Sequence, residues 1–113
     1  MHKSSKYVLS AAVFAAGIIT ASGLHGQEKS GNVEKGKEVF EQCAVCHNAD
    51  SAEKKMGPGL KGLFKKDKMA GGKKPTYENV LQKINEGGGG MPGYKELLSS
   101  EESVNLMAYL KSL

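Results

Sequence analysis

Arginine and tryptophan are absent from this 113-residue chain, and cysteine, histidine and proline are scarce, with two, three and three residues. Each shortage closes off a class of protein. Without arginine, the bidentate phosphate and guanine contacts of specific DNA readers lack their preferred donor, so no nucleic-acid partner is expected. Two cysteines cannot build a disulfide-dense scaffold. No stretch alternates apolar and polar residues over a useful length, which removes the main signal for β-strands, and no internal repeat is visible. With 39% hydrophobic and 25% charged residues, the composition also excludes a disordered tail, a collagenous repeat and a multispan membrane protein. What remains is one small domain. A domain below about 100 residues buries too small a share of its surface to be comfortably stable without a staple or a cofactor.

Charge is missing from residues 7–23, a run of 17 that follows Lys3 and Lys6. This is the pattern of the n-region and h-region of a secretory signal peptide. Ala21 and Gly23 supply small residues before a cut at Leu24, and a second option places Gln27 first. The expected organisation is a signal peptide at 1–23, a flexible segment at 24–31 and one domain at 32–113, in a periplasmic or otherwise exported protein. The competing expectation is an uncleaved anchor, since 17 residues lie at the short limit for spanning a bilayer. A membrane partner is expected only in that case.

Loss of Lys3 and Lys6 leaves 14 lysines against 12 acidic residues, 14 − 12 = +2. The balance is uneven. Lys54, Lys55, Lys61, Lys65, Lys66, Lys68, Lys73 and Lys74 face only Glu53 and Asp67, a local 8 − 2 = +6. Such a run is either a solvated loop face or a docking patch for an acidic partner.

The rest reads as helices joined by long loops. Asn32 can cap a first helix from Val33 to about Cys46, with Val33, Val39, Phe40 and Cys43 near one stripe. Residues 47–75 hold Gly57, Pro58, Gly59, Gly62, Gly71 and Gly72 and show no sustained period, which predicts a loop with a short helical turn around residues 60–64. Thr76 caps a second helix through Val80, Leu81 and Ile84 to Glu86, stopped by Gly87 to Gly90. Ser99 and Glu102 form a capping box that opens a last helix with Val104, Leu106, Met107, Tyr109, Leu110 and Leu113 on its apolar face. A loop of nearly thirty residues counts against so small a domain unless it wraps something large and apolar.

Cys43-Ala44-Val45-Cys46-His47 names that object. C-x-x-C-H is the attachment sequence of c-type haem: two thiols become thioethers on the haem vinyl groups, and the adjacent imidazole becomes the proximal iron ligand. Cysteines three apart project in neighbouring directions, and the next residue turns beneath the ring. By chance the pattern arises in a chain of this length on the order of once in a thousand. A zinc site wants four ligands, and outside Cys43, Cys46 and His47 the mature chain offers only His25. A redox dithiol wants a strand before the first cysteine in a βαβ setting, where this chain has a helix. Export agrees with haem, because bacterial covalent haem attachment takes place outside the cytoplasm.

A second axial donor is sought among the methionines. Met107 lies on the apolar face of a helix, where core packing accounts for it, and Met69 lies in a lysine-rich loop without apolar neighbours. Met56 is close in sequence to His47 and would share its side of the ring. Met91, between the glycine run and Pro92, is far enough along the chain to reach the other face. A lysine or an open position is the remaining alternative.

With these motifs the chain resembles the class I cytochrome c family of small single-haem electron carriers, over about 80 residues from Asn32 to Leu113. Gly36 and Phe40 resemble the family's Gly-x-x-x-aromatic, which implies a close crossing of the first and last helices. Residues 57–64, Gly-Pro-Gly-Leu-Lys-Gly-Leu-Phe, resemble its Gly-Pro-x-Leu-x-Gly-Leu-Phe. That match implies that the Pro58 carbonyl accepts from the proximal imidazole and that Leu60 packs on the haem. Met91-Pro92-Gly93-Tyr94 resembles the distal loop, although four successive glycines before it depart from typical members.

The resemblance implies an all-α fold of three main helices wrapped around one haem c per chain, covalently attached, with long irregular loops. The expected site is Cys43 and Cys46 as thioethers, His47 and Met91 on iron, and Pro58, Leu60, Phe64 and Tyr94 in the haem pocket, with Leu63 beside them. With both axial positions filled, the expected function is single-electron transfer with redox protein partners, by a monomer that is not an enzyme. Two alternatives are a haem-binding sensor or weak peroxidase with an open distal site, and an anchored haem subunit of a respiratory complex.

Overall fold

The structure, a computed structural model, describes residues 30–113; the expected signal peptide, its cleavage positions and all but the end of the 24–31 segment lie outside the described residues. Three helices follow in order, α1 (Val33–Phe40), α2 (Tyr77–Glu86) and α3 (Ser100–Lys111), with a 3₁₀ turn at Leu63–Lys65 between the first two. No β-strand occurs among the described residues, and none of their helices is long and apolar enough to cross a membrane.

Each helix starts where a side chain can satisfy an orphan backbone donor. Asn32 Oδ1 accepts from Lys35 N–H at 2.9 Å, and Thr76 Oγ1 accepts from Asn79 N–H at 3.1 Å. At α3 the capping box is complete: Glu102 N–H donates to Ser99 Oγ at 3.1 Å, and Ser99 N–H donates to Glu102 Oε2 at 2.7 Å.

The first helix is shorter than its apolar pattern predicts. It ends at Phe40, and residues 41–46 continue as successive turns. Cys43 N–H bonds to Phe40 O at 2.7 Å and Cys46 N–H to Cys43 O at 3.1 Å, three-residue returns that share those carbonyls with the four-residue returns of Ala44 and His47. The short helical turn falls where expected, opening with Leu63 N–H on Leu60 O at 3.1 Å and continuing as the 3₁₀ turn. Val33, expected on the buried stripe, is 41% exposed at the open end of the helix.

The core lies where α1 crosses α3, joined by the 3₁₀ turn and α2. It holds Phe40, Leu63, Val80, Ile84, Leu106, Met107 and Leu110, with Leu106 and Met107 fully buried. Gly36 makes the crossing close. A Cβ there would overlap the Asn105 carbonyl and come within 2.8 Å of Tyr109 Cβ. The Phe40 and Tyr109 rings then meet with centroids 5.2 Å apart, tilted by 55°. Asn105 is the one buried polar residue described, and its Oδ1 accepts Asn32 N–H at 2.8 Å, tying the start of α1 to the middle of α3.

Alanine at an interior helix position ordinarily gains about 0.5–1 kcal/mol over glycine. At Gly36 the overlap with backbone reverses the sign. Gly36→Ala should lose about 1–3 kcal/mol through displaced backbone, read as a lower denaturant midpoint of the haem-bound protein; a midpoint at or above wild type would contradict the close crossing.

Candidate functional site

The turns after α1 deliver Cys43, Cys46 and His47 to one place. His47 N–H bonds to Cys43 O at 2.9 Å, so the imidazole is carried by the same turn as the first thiol. Both cysteines are free and half-buried. Burial, and secondly the neighbouring Cys46, push the Cys43 thiol above its usual range.

A second segment folds back over this turn. Gly57 N–H donates to Cys46 O at 2.8 Å, Leu60 N–H to Asn48 O at 2.8 Å, and Lys55 Nζ to Ala44 O at 3.0 Å. The loop thereby sets Pro58 O 2.8 Å from His47 Nδ1. A proline carbonyl can only accept, so the proton sits on Nδ1, and Nε2 keeps a free lone pair. Gly57 lies flat against the imidazole: a Cβ there would stand 2.5 Å from Cε1 and 2.9 Å from Nδ1. One hydrogen bond and one contact therefore fix the tautomer and orientation of the ring, as metal-ligating histidines require.

Facing this turn, α2 ends in a tight glycine loop. Gly88 N–H donates to Met91 O at 2.9 Å and Met91 N–H to Gly88 O at 3.2 Å, and Tyr94 N–H donates to Ile84 O at 2.9 Å. Tyr94 reaches the neighbourhood of both thiols: burial first, then Cys43 and Cys46, raise its hydroxyl above the ordinary tyrosine range.

Leu60, Phe64, Met69, Leu81, Met91, Tyr94 and Leu98 are half-buried and pack against the core. Half-buried apolar side chains of this kind suit contact with a large apolar group, and paired thiols beside an oriented imidazole fit the attachment of haem. Of the expected site residues, Leu60, Phe64, Tyr94 and Met91 belong to this half-buried set, while Leu63 belongs to the buried core.

The expectations about methionine divide. Met107 is fully buried in α3, as a core residue should be, and Met56 is 78% exposed with Sδ 4.0 Å from Cys46 Sγ, on the attachment side. Met69, however, is half-buried against the core, where a loop without apolar neighbours was expected. Its backbone closes a turn, with Met69 N–H donating to Lys73 O at 2.7 Å and Gly72 N–H to Met69 O at 3.0 Å, so the side chain is folded inward. Sequence reasoning also passed over Lys83, whose Nζ meets the carbonyls of the glycine loop. A basic residue in the last turn before a glycine stop was the available signal.

A family model described as Cytochrome c matches residues 33–113. Among solved structures, the chain is similar to cytochrome c6 from the diatom Phaeodactylum tricornutum, with 28% identity and a TM-score of 0.56, covering 73% of this chain and 93% of that one. No curated protein matches the chain.

Gly57→Ala tests the contact that holds the ring. The added methyl must move the imidazole or the 55–58 loop, so the haem-bound protein should lose about 1–3 kcal/mol in a denaturant titration and show a perturbed ferric spectrum. Wild-type stability and spectrum together would mean that the ring is not pinned there.

Proposed function

The chain belongs to the class I cytochrome c family, and on that premise we propose how its residues hold the covalently bound haem c and serve single-electron transfer between redox proteins. It is an electron-transfer protein and not an enzyme. Cys43 and Cys46 would hold the haem through thioethers, and His47 would offer iron its Nε2, the nitrogen that the Pro58 hydrogen bond leaves free. That 2.8 Å contact is the observation that carries the proposal, because an unpinned imidazole could present either nitrogen.

Met91 is the proposed distal ligand. Its backbone is held by the reciprocal pair with Gly88, and its side chain is half-buried against the core. The other described methionines have competing places, Met107 in the core, Met56 at the surface and Met69 in the 69–73 turn. When bound, the haem supplies exchange of one electron between its ferrous and ferric states. The protein's share would be to hold the iron with His47 and Met91, leaving no position for a substrate, and to surround the centre with apolar groups. Apolar surroundings disfavour the added positive charge of the ferric state, and the soft methionine sulfur favours the ferrous one, so both raise the potential.

The leader-like residues 1–23 support export, hence a periplasmic or otherwise exported monomeric carrier. The lysines between Lys54 and Lys74 are the proposed docking face for an acidic redox partner. Two haem propionates bring the mature +2 to about zero, so a local patch and not the net charge must steer association.

The ligand assignment is tested by substitution in the haem-bound protein. Met91→Ala should remove the far-red sulfur-to-iron band of the ferric spectrum and lower the potential on the order of 0.1 V, a fraction of the roughly 0.8 V that axial ligation spans. Met56→Ala and Met69→Ala should keep the band. Persistence of the band in Met91→Ala would move the ligand elsewhere.

The docking face has its own test. Lys65 and Lys68 are exposed, whereas Lys66 Nζ lies 3.4 Å from Gly59 O and supports the loop, so Lys65→Glu with Lys68→Glu is the cleaner reversal. At low salt the association rate with an acidic redox partner should fall about tenfold, and the difference should shrink as salt rises. A rate indifferent to both changes would make the lysines a solvated face.

A further inference from the structure

Gly87, Gly88, Gly89 and Gly90 all have positive φ, at 66°, 110°, 64° and 92°. Four successive glycines have no side chains to order them and lose the most backbone freedom on folding. Left to themselves they would make a poor support for an axial ligand. The run is nevertheless closed on Met91 by the two hydrogen bonds to Gly88.

Lys83 supplies what the glycines lack. It lies in the last turn of α2, half-buried, and its Nζ stands 3.2 Å from Gly87 O and 3.1 Å from Gly88 O. Both carbonyls lie at the negative end of the helix dipole, where an ammonium is favoured, and hydrogen bonds from a charged donor are stronger than neutral ones. One side chain rooted in a regular helix therefore grips two consecutive peptide groups of the flexible run. The second of them, Gly88, is the residue that holds both the N–H and the C=O of Met91.

We infer that Lys83 is a positioning residue for the distal ligand: its ammonium locks the Gly87 and Gly88 carbonyls, and the Gly88 pair transmits that order to Met91. This rests on the assignment of Met91 to iron. The consequence is kinetic as well as structural. Without the ammonium the glycine run opens more often, the Met91 thioether leaves more readily, and an external ligand can take its place. A lysine acting only as a helix cap would loosen the last turn of α2, Ile84 included, as much as the loop.

The test uses the haem-bound full chain with Lys83→Leu, Lys83→Arg and, as a lysine away from the loop, Lys35→Leu. Lys35 pairs with Glu101 at 3.7 Å on the α1 and α3 side. Two quantities are measured: hydrogen exchange of the Gly88 and Met91 amides, and the rate at which added imidazole displaces the far-red band. Lys83→Leu should raise both about tenfold while the Ile84 amide inside α2 changes little. Lys83→Arg should return both toward wild type, and Lys35→Leu should leave both unchanged.

Unchanged exchange at Gly88 and Met91 in Lys83→Leu would overturn the inference, as would an equal rise at Ile84, the mark of a cap alone. Faster exchange with wild-type imidazole binding, in a protein whose far-red band Met91→Ala removes, would also overturn it, because order at Gly88 would then not reach the ligand. If Met91→Ala keeps the band, the ligand assignment fails separately, and exchange at Gly88 and Met91 still decides whether Lys83 locks the loop.

Discussion

The hydrogen bond from His47 Nδ1 to Pro58 O, 2.8 Å long, couples the two halves of the site. Its donor rides on the tight turns after α1 and its acceptor on the loop that Gly57 and Leu60 pin back onto those turns. Moving either segment would turn the ring or exchange its tautomer, and the nitrogen offered to iron would change with it. The rest of the fold can be understood as holding these segments still. The close crossing at Gly36 places α1 on α3, the Asn105 side chain ties down the start of α1, and the 3₁₀ turn buries Leu63 beneath the loop.

The two sides of the site are built differently. On the proximal side the order is dense: a carbonyl fixes the ring, Gly57 lies against it, and Lys55 holds the turn from outside. On the distal side the backbone is four glycines long, and order must come from α2 through Lys83, Ile84 and the Gly88 pair. Under the proposed ligation by Met91, order on this loop matters to electron transfer, because any ligand change adds reorganisation to each transfer.

Much of this was legible in the residues because the signals are local. Thr76 and Ser99 announce their helices by hydrogen bonds three residues long, and C-x-x-C-H carries its chemistry within five residues. The end of α1 was not legible, since the apolar spacing of Val39 and Phe40 continues to Cys43 through turns that mix three- and four-residue returns. Nor was the inward fold of Met69, which depends on a turn closed by Lys73 O inside a stretch with no period. Asn105 and Lys83 escaped for another reason: each acts on backbone groups of residues whose side chains say nothing about the contact, and for Asn105 the partner lies 73 residues away.

The central claim is that one haem, joined to Cys43 and Cys46, has its iron held between His47 and Met91. The measurement that addresses it most directly is the visible spectrum of the purified wild-type protein, oxidised and then reduced. The account predicts a low-spin, six-coordinate haem in both states, with a far-red sulfur-to-iron band when ferric and a sharp α band on reduction. A high-spin ferric spectrum without the far-red band, together with rapid carbon monoxide binding to the reduced form, would contradict it and leave the distal position open.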